Sequence, residues 1–207
     1  FDSFIGKKEK GLYKEFFEES EGFKFLDNFI FEKKLKKSSK KFKKNSINNH
    51  TVYHGDCRQV LESFKKESIS NMVTSPPYYN AREYSQWDSL YQYVQEMYEM
   101  ADKSFKALKK GGVYFFNVGD ITDNEKIVVK SKMGEKRVPL GAYIILIFRK
   151  VGFELLDNII WNKGEPQSQR HKNDGNFVPY YQRPANCYEH MFVFKKPGAE
   201  LHLNKNQ

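Results

Sequence analysis

The residues best suited to chemistry lie in one stretch, Asn71-Met72-Val73-Thr74-Ser75-Pro76-Pro77-Tyr78-Tyr79-Asn80. Ile69 to Thr74 reads as a buried strand, and it runs straight into two prolines. Each proline lacks an N–H and holds a fixed φ. Ser75, which precedes them, is pushed toward extended geometry. The chain therefore leaves the sheet through a stiff turn at the carboxyl end of a strand, where open α/β sheets bind ligands. The backbone carbonyls of Ser75 and Pro76 have no guaranteed partner there. The Ser75 hydroxyl can accept or donate, and Tyr78 presents an aromatic face. Together they suit a flat ring bearing an NH₂ group. The lone pair of such an amine is delocalised into the ring and attacks poorly. Two acceptors on its hydrogens can localise the pair, so that the nitrogen attacks an electrophilic methyl in line. A base from nucleic acid would first have to leave its stack, which costs a few kcal/mol. Taken alone, the four residues also fit an ordinary proline-rich turn. The strand before them, and Gly55-Asp56-Cys57 with a helix upstream, weigh against that reading.

The elements that must position this turn alternate in pattern from residue 51 onward. Thr51–Gly55 reads as a short strand, Arg58–Lys66 as a helix, and Ser89–Leu108 as a long helix with apolar residues at three- and four-residue steps. Lys109-Lys110-Gly111-Gly112 is expected to stop that helix through a glycine cap. Val113–Val118 reads as a central strand, Leu140–Val151 as a helix ended by Gly152, Phe153–Trp161 as a strand and Tyr188–Phe194 as the last strand. Residues 162–185 form a polar loop too long for a mere connection. The alternation predicts an α/β fold with a mostly parallel sheet. Residues 1–50 differ: Lys10–Phe31 could form an amphipathic helix, and a lysine run from Lys33 to Lys44 follows. We divide the chain into a basic, lysine-rich extension (1–50), a catalytic part (51–198) and a short tail (199–207).

The formal charge is +9, and thirteen of the lysines fall in the first fifty residues. A polyanionic partner suits that excess, with clustered lysines tracking phosphates. A basic proteome and a solvated linker account for it as well. Two cysteines, Cys57 and Cys187, and five histidines show no metal-ligand spacing, so no metal site is expected. No apolar run approaches the ~20 residues of a membrane span, and a cytoplasmic protein without a membrane partner is the default reading.

The order His54-Gly55-Asp56-Cys57, helix, Thr74-Ser75-Pro76-Pro77-Tyr78 resembles the amino-terminal half of the beta-group DNA amino-methyltransferases of bacterial restriction–modification systems. Leu108-Lys109-Lys110-Gly111-Gly112 is similar to their Leu-Lys-Pro-Gly-Gly turn, with Lys110 in place of the usual proline. Ile160-Trp161-Asn162-Lys163 and Tyr188-Glu189-His190-Met191-Phe192-Val193-Phe194 resemble their later Trp-x-Lys and Tyr-Glu segments. The resemblance spans about residues 51–197. It implies a Rossmann-like, class I S-adenosylmethionine-dependent methyltransferase fold. Ser75, Pro76, Pro77 and Tyr78 would be the catalytic tetrapeptide. Asp56, Cys57 and Ser75 would contact the donor, and double-stranded DNA would be the substrate. Serine in the first motif position points to cytosine N4, and adenine N6 remains the alternative. A degenerate, DNA-binding-only frame is a further one.

Other residues carry double readings. Asp56 can meet the donor's adenine or cap the helix at Arg58. Tyr188 can line the base pocket or pack at a strand start. Tyr79, Asn80, Arg82 and Tyr84 can shape target entry or form an exposed loop. Lys163, Arg170, His171, Lys172 and Arg183 make the long loop basic, which suits phosphate contact. Trp161 reads as core. The family's Phe-x-Gly-x-Gly turn for the donor's methionine part is not found in this sequence. The expectation is a fold completed by a further segment or a second polypeptide, with a cognate endonuclease as a possible partner and weak methyl transfer by these residues in isolation.

Overall fold

A computed structural model describes residues 41–79, 81, 85–122, 137–164 and 188–198. The Lys10–Phe31 stretch, most of the lysine run, Asn80, Arg82, Tyr84, Arg170, His171, Lys172, Arg183 and the tail lie outside the described residues.

The lysine run ends inside a hairpin. β1 (Lys43–Ile47) pairs antiparallel with β2 (His50–His54) in a two-stranded sheet of its own. Its turn uses Asn48 at φ 53°, a left-handed conformation that asparagine tolerates. The boundary expected between residues 50 and 51 thus falls within one hairpin. Tyr53 stands edge-on to Phe42 and Phe64, with ring centroids 5.8 and 5.6 Å away.

Helix α1 (Cys57–Glu62) is shorter than the expected Arg58–Lys66, because the Ser63 amide and hydroxyl both turn back to the Val60 carbonyl. Then come β3 (Ile69–Thr74) and, beyond the rigid exit, α2 (Leu90–Ala107), started by Ser89, whose hydroxyl accepts from the Gln92 amide at 3.2 Å. β4 (Leu108–Val118) follows α2 without a break, since Leu108 is already extended. The glycine pair therefore does not cap the helix. Gly111 takes φ 75° within the strand, and a Cβ on Gly112 would sit 2.6 Å from the Ser70 carbonyl. Both glycines serve the close approach of β4 to β3, where the pairing slips between Ile69 and Asn71. The end of α2 is held instead by Lys196, 5% exposed, whose ammonium donates to the Phe105 and Leu108 carbonyls at 2.7 and 2.8 Å.

β5 (Ile121–Thr122) and β6 (Arg137–Val138) form a second small pair. α3 (Leu140–Val151) has the expected limits, and Gly152 at φ 115° ends it, as glycine at a left-handed cap should. β7 (Glu154–Asn162) and β8 (Tyr188–Lys195) complete a four-stranded sheet in the order β3-β4-β8-β7. The α/β class holds. The described sheet is mixed rather than mostly parallel: β3 and β4 run parallel, while β8 is antiparallel to both β4 and β7. The reason lies in the connection. Asn162 pairs with Tyr188, so the chain leaves and re-enters the sheet at the same end, and β8 must run back.

One face of this sheet is covered by α2 and α3. Phe116, Phe192, Phe194 and Phe148 are all fully buried, with Phe148 of α3 stacked on Phe194 at 4.2 Å. By alternation the other face carries Val73, Phe115, Asn117, Glu189, Met191, Ile159 and Trp161. It is open: Val73 is 80% exposed, Trp161 47% and Ile159 44%. β3 is therefore not buried on both faces, and Trp161 is not core. Among the described residues no helix is long and apolar enough to cross a membrane.

Candidate active site

The turn after β3 divides its residues cleanly. Ser75 and Pro77 are exposed, Pro76 is buried, and Tyr78 is half-buried. Tyr79 is fully buried against Tyr93, ring centroids 5.8 Å apart. The expected place for Tyr79 at the base entry is therefore corrected: its ring points into the core. The prolines hold the chain so that consecutive tyrosines face opposite ways.

Tyr78 is tied to the sheet by its hydroxyl. It donates to Glu189 Oε2 at 2.9 Å and lies 3.2 Å from Asn117 Oδ1. Ser75 Oγ donates to the same Asn117 oxygen at 3.1 Å and stands 3.3 Å from the Tyr78 hydroxyl. Asn117 in turn donates from Nδ2 to the His190 carbonyl at 3.1 Å. The other Glu189 oxygen pairs with Lys163 at 3.1 Å, and the Lys163 ammonium sits 3.6 Å over the Trp161 ring. One polar chain thus crosses all four strand ends, from β3 through β4 and β8 to β7. Burial, and then the Glu189 carboxylate, push the Tyr78 phenol up to about 12, so it stays protonated as a donor. Gly119 makes the meeting possible: a Cβ there would lie 3.1 Å from Glu189 Cγ and 3.3 Å from Tyr78 Cε2.

A cleft of about 230 Å³ opens beside the turn, between the start of α1, the two prolines and α2. Pro76, Pro77, Trp87, Met97 and Met100 give it apolar walls, and Asp56, Cys57, Arg58 and Glu96 line its polar side. Asp56 caps α1, accepting from the Arg58 amide at 2.9 Å. Its carboxylate also takes the Arg58 guanidinium, with Nη2 to Oδ2 at 2.7 Å. That hydrogen bond holds Asp56 below the usual carboxylate range. Arg58 reaches on to Glu99 and Glu96 at 3.4 and 3.6 Å, which fastens α1 to α2. Desolvation, then the Asp56 charge, raise the Cys57 thiol, so it stays protonated.

The structure therefore gathers Ser75, Pro76, Pro77 and Tyr78 with Lys163, and sets Asp56 and Cys57 across the cleft from the prolines. Tyr188 stands apart. It lies on the opposite side of β8 from Glu189, 38% exposed, with its ring edge-on to His190 at 5.4 Å. Sequence reading missed Asn117, Gly119 and Glu189. It also missed Asp120, whose carboxylate accepts from the Gly141 amide at 2.9 Å and anchors the start of α3. The signal available was polar residues at the ends of apolar strands, Asn117-Val118-Gly119-Asp120 above all.

Comparison with known proteins places this geometry. The family described as DNA methylase (N6_N4_Mtase) matches residues 69–207. The type II beta methyltransferase M.BslI of Bacillus sp. (strain NEB-606) is 58% identical over 160 residues, covering 77% of this chain and 18% of that protein. The type II methyltransferase M.MjaVI of Methanocaldococcus jannaschii is 32% identical, covering 76% of each. Among solved structures, the DNA modification methylase TTHA0409 of Thermus thermophilus, complexed with S-adenosyl-L-methionine, superposes with a TM-score of 0.55 at 28% identity, over 74% of this chain and 58% of that one. The cytosine-N4-specific PvuII DNA methyltransferase superposes with a TM-score of 0.52 at 24% identity, over 69% of this chain and 49% of that one, and speaks to the fold alone. The chain spans less than two thirds of M.BslI and of both solved proteins. With its Ser75–Tyr78 turn at the carboxyl end of β3, the chain belongs to the N6/N4 DNA methylase family.

Proposed function

We propose that this chain carries the catalytic turn of a type II DNA methyltransferase that modifies the exocyclic N4 of a flipped cytosine in double-stranded DNA. The observation that carries the reading is the exposed Ser75 hydroxyl at a rigid strand exit, beside a half-buried Tyr78 whose hydroxyl is anchored at 2.9 Å. Ser75 and the carbonyl of the proline-locked turn accept the two amine hydrogens, and Tyr78 offers its ring to the base. Acceptors on both hydrogens make the nitrogen lone pair available.

S-adenosylmethionine, when bound, supplies an electrophilic methyl for direct in-line transfer. The cleft fits its adenine end. Its volume suits a flat heterocycle, its walls are proline, tryptophan and methionine, and carboxylates of Asp56 and Glu96 stand at the rim. Asp56, Cys57 and Ser75 are the residues we assign to holding it. Asp56 does so while capping α1. Lys163 joins the DNA side through phosphate contact near the flipped base. A cognate endonuclease is the natural partner of such an enzyme.

Cytosine is preferred over adenine because a serine hydroxyl, a weaker acceptor than a carboxylate, stands first in the turn. The test is to incubate the native protein with defined duplexes and methyl-labelled donor and to identify the labelled nucleoside. N4-methylcytosine is expected. N6-methyladenine would move the assignment to the alternative base, and no label in either would leave a DNA-binding frame without catalysis.

A further inference from the structure

Counting protons in the polar chain gives a result that the motif alone does not contain. Tyr78 has one hydroxyl proton and two acceptors in reach, Glu189 Oε2 at 2.9 Å and Asn117 Oδ1 at 3.2 Å. The nearer, charged oxygen takes it, because ionised acceptors make the stronger bonds. Asn117 Oδ1 is then left for Ser75, at 3.1 Å. Its amide cannot be turned the other way, since Nδ2 is spent on the His190 carbonyl at 3.1 Å. The Ser75 and Tyr78 oxygens stand 3.3 Å apart with both protons directed elsewhere. Neither donates to the other, so both offer lone pairs.

We propose that Asn117 and Glu189 are positioning residues that set the polarity of the Ser75–Tyr78 turn, drawing its two hydroxyl protons inward so that its outward oxygens only accept. Such a site welcomes an amino group, which brings hydrogens, and rejects an oxo group, which brings lone pairs. Lys163 holds the second Glu189 oxygen and keeps the carboxylate turned toward Tyr78. The inference rests on the methyltransferase reading above.

Its test uses the native protein and three variants, Asn117→Leu, Asn117→Asp and Glu189→Gln, read by single-turnover methyl transfer, donor binding and thermal unfolding. Removing an oriented polar partner from an active site typically lowers the chemical step about 10²–10³-fold. Asn117→Leu is expected to slow transfer about 100-fold with donor affinity within threefold of wild type. Asn117→Asp, which keeps an acceptor for Ser75, should recover transfer to within about tenfold of wild type. Glu189→Gln should slow transfer about tenfold, and it tests the idea even if Asn117→Leu fails to fold. Transfer by Asn117→Leu within threefold of wild type would overturn the inference. So would an Asn117→Asp protein that folds and binds donor yet is as slow as Asn117→Leu. A wild-type protein that methylates neither base defeats the methyltransferase reading itself, and the inference falls with it.

Discussion

The two faces of the four-stranded sheet do different work. The helix-covered face is built of rings: Tyr114, Phe116, Phe148, Phe153 and Phe194 stand within 4.2 to 6.2 Å of one another, and all are buried. The open face leaves Val73, Ile159 and Trp161 substantially exposed and carries Asn117 and Glu189. Stability is concentrated on the first face and polarity on the second. The Ser75–Tyr78 turn sits where they meet: Pro76 and Tyr79 are sunk toward the helices, while Ser75 remains exposed and Tyr78 is bonded to Asn117 and Glu189. The prolines are what allow one short segment to belong to both.

The sharpest way to break this comparison is to excavate the covered face. Phe194→Ala removes a fully buried ring stacked at 4.2 Å on Phe148. It should destabilise the fold by about 3–5 kcal/mol in chemical denaturation. A loss under about 1 kcal/mol would mean that the core does not depend on this face.

An intermediate effect is expected where α1 meets the cleft. Arg58 depresses the Asp56 carboxyl below its ordinary value of 3.8, so the charged form is favoured in the folded state. That stability is present above the unfolded value, near pH 4, and is lost as pH falls through the lower folded value. Asp56→Asn should therefore be less stable than wild type at pH 7, with the gap closing below about pH 4. Denaturation curves at both pH values check this, and a gap that persisted undiminished in acid would contradict the ion-pair account. The smallest effect belongs to the open face, where Val73→Thr should change stability by no more than about 0.5 kcal/mol.

Periodicity made the packing elements readable. Leu140–Val151 repeats apolar residues on one face and meets Gly152, so both its limits were legible. β8 was read to within one residue, and Ser89 announced the start of α2. Punctuation was less dependable. Gly111-Gly112 reads as a helix stop because glycine accepts a left-handed cap, yet here it serves strand contact, which depends on a partner far along the chain. Trp161 reads as core by residue type alone, since nothing local reveals that its face of the sheet is open. Among the site residues, the turn itself was visible because two prolines after an apolar strand are rare and stiff. Asn117 and Glu189 were not. Each is a polar residue within a strand, and its role appears only once β4 and β8 are side by side.

The most direct test of the account compares wild type with Ser75→Ala in the native protein, measuring transfer of labelled methyl to cytosine N4 in duplex DNA under single-turnover conditions. The account predicts N4-methylcytosine with wild type and a rate about 100-fold lower with Ser75→Ala. Equal rates, or label appearing anywhere other than an exocyclic amine, would contradict it.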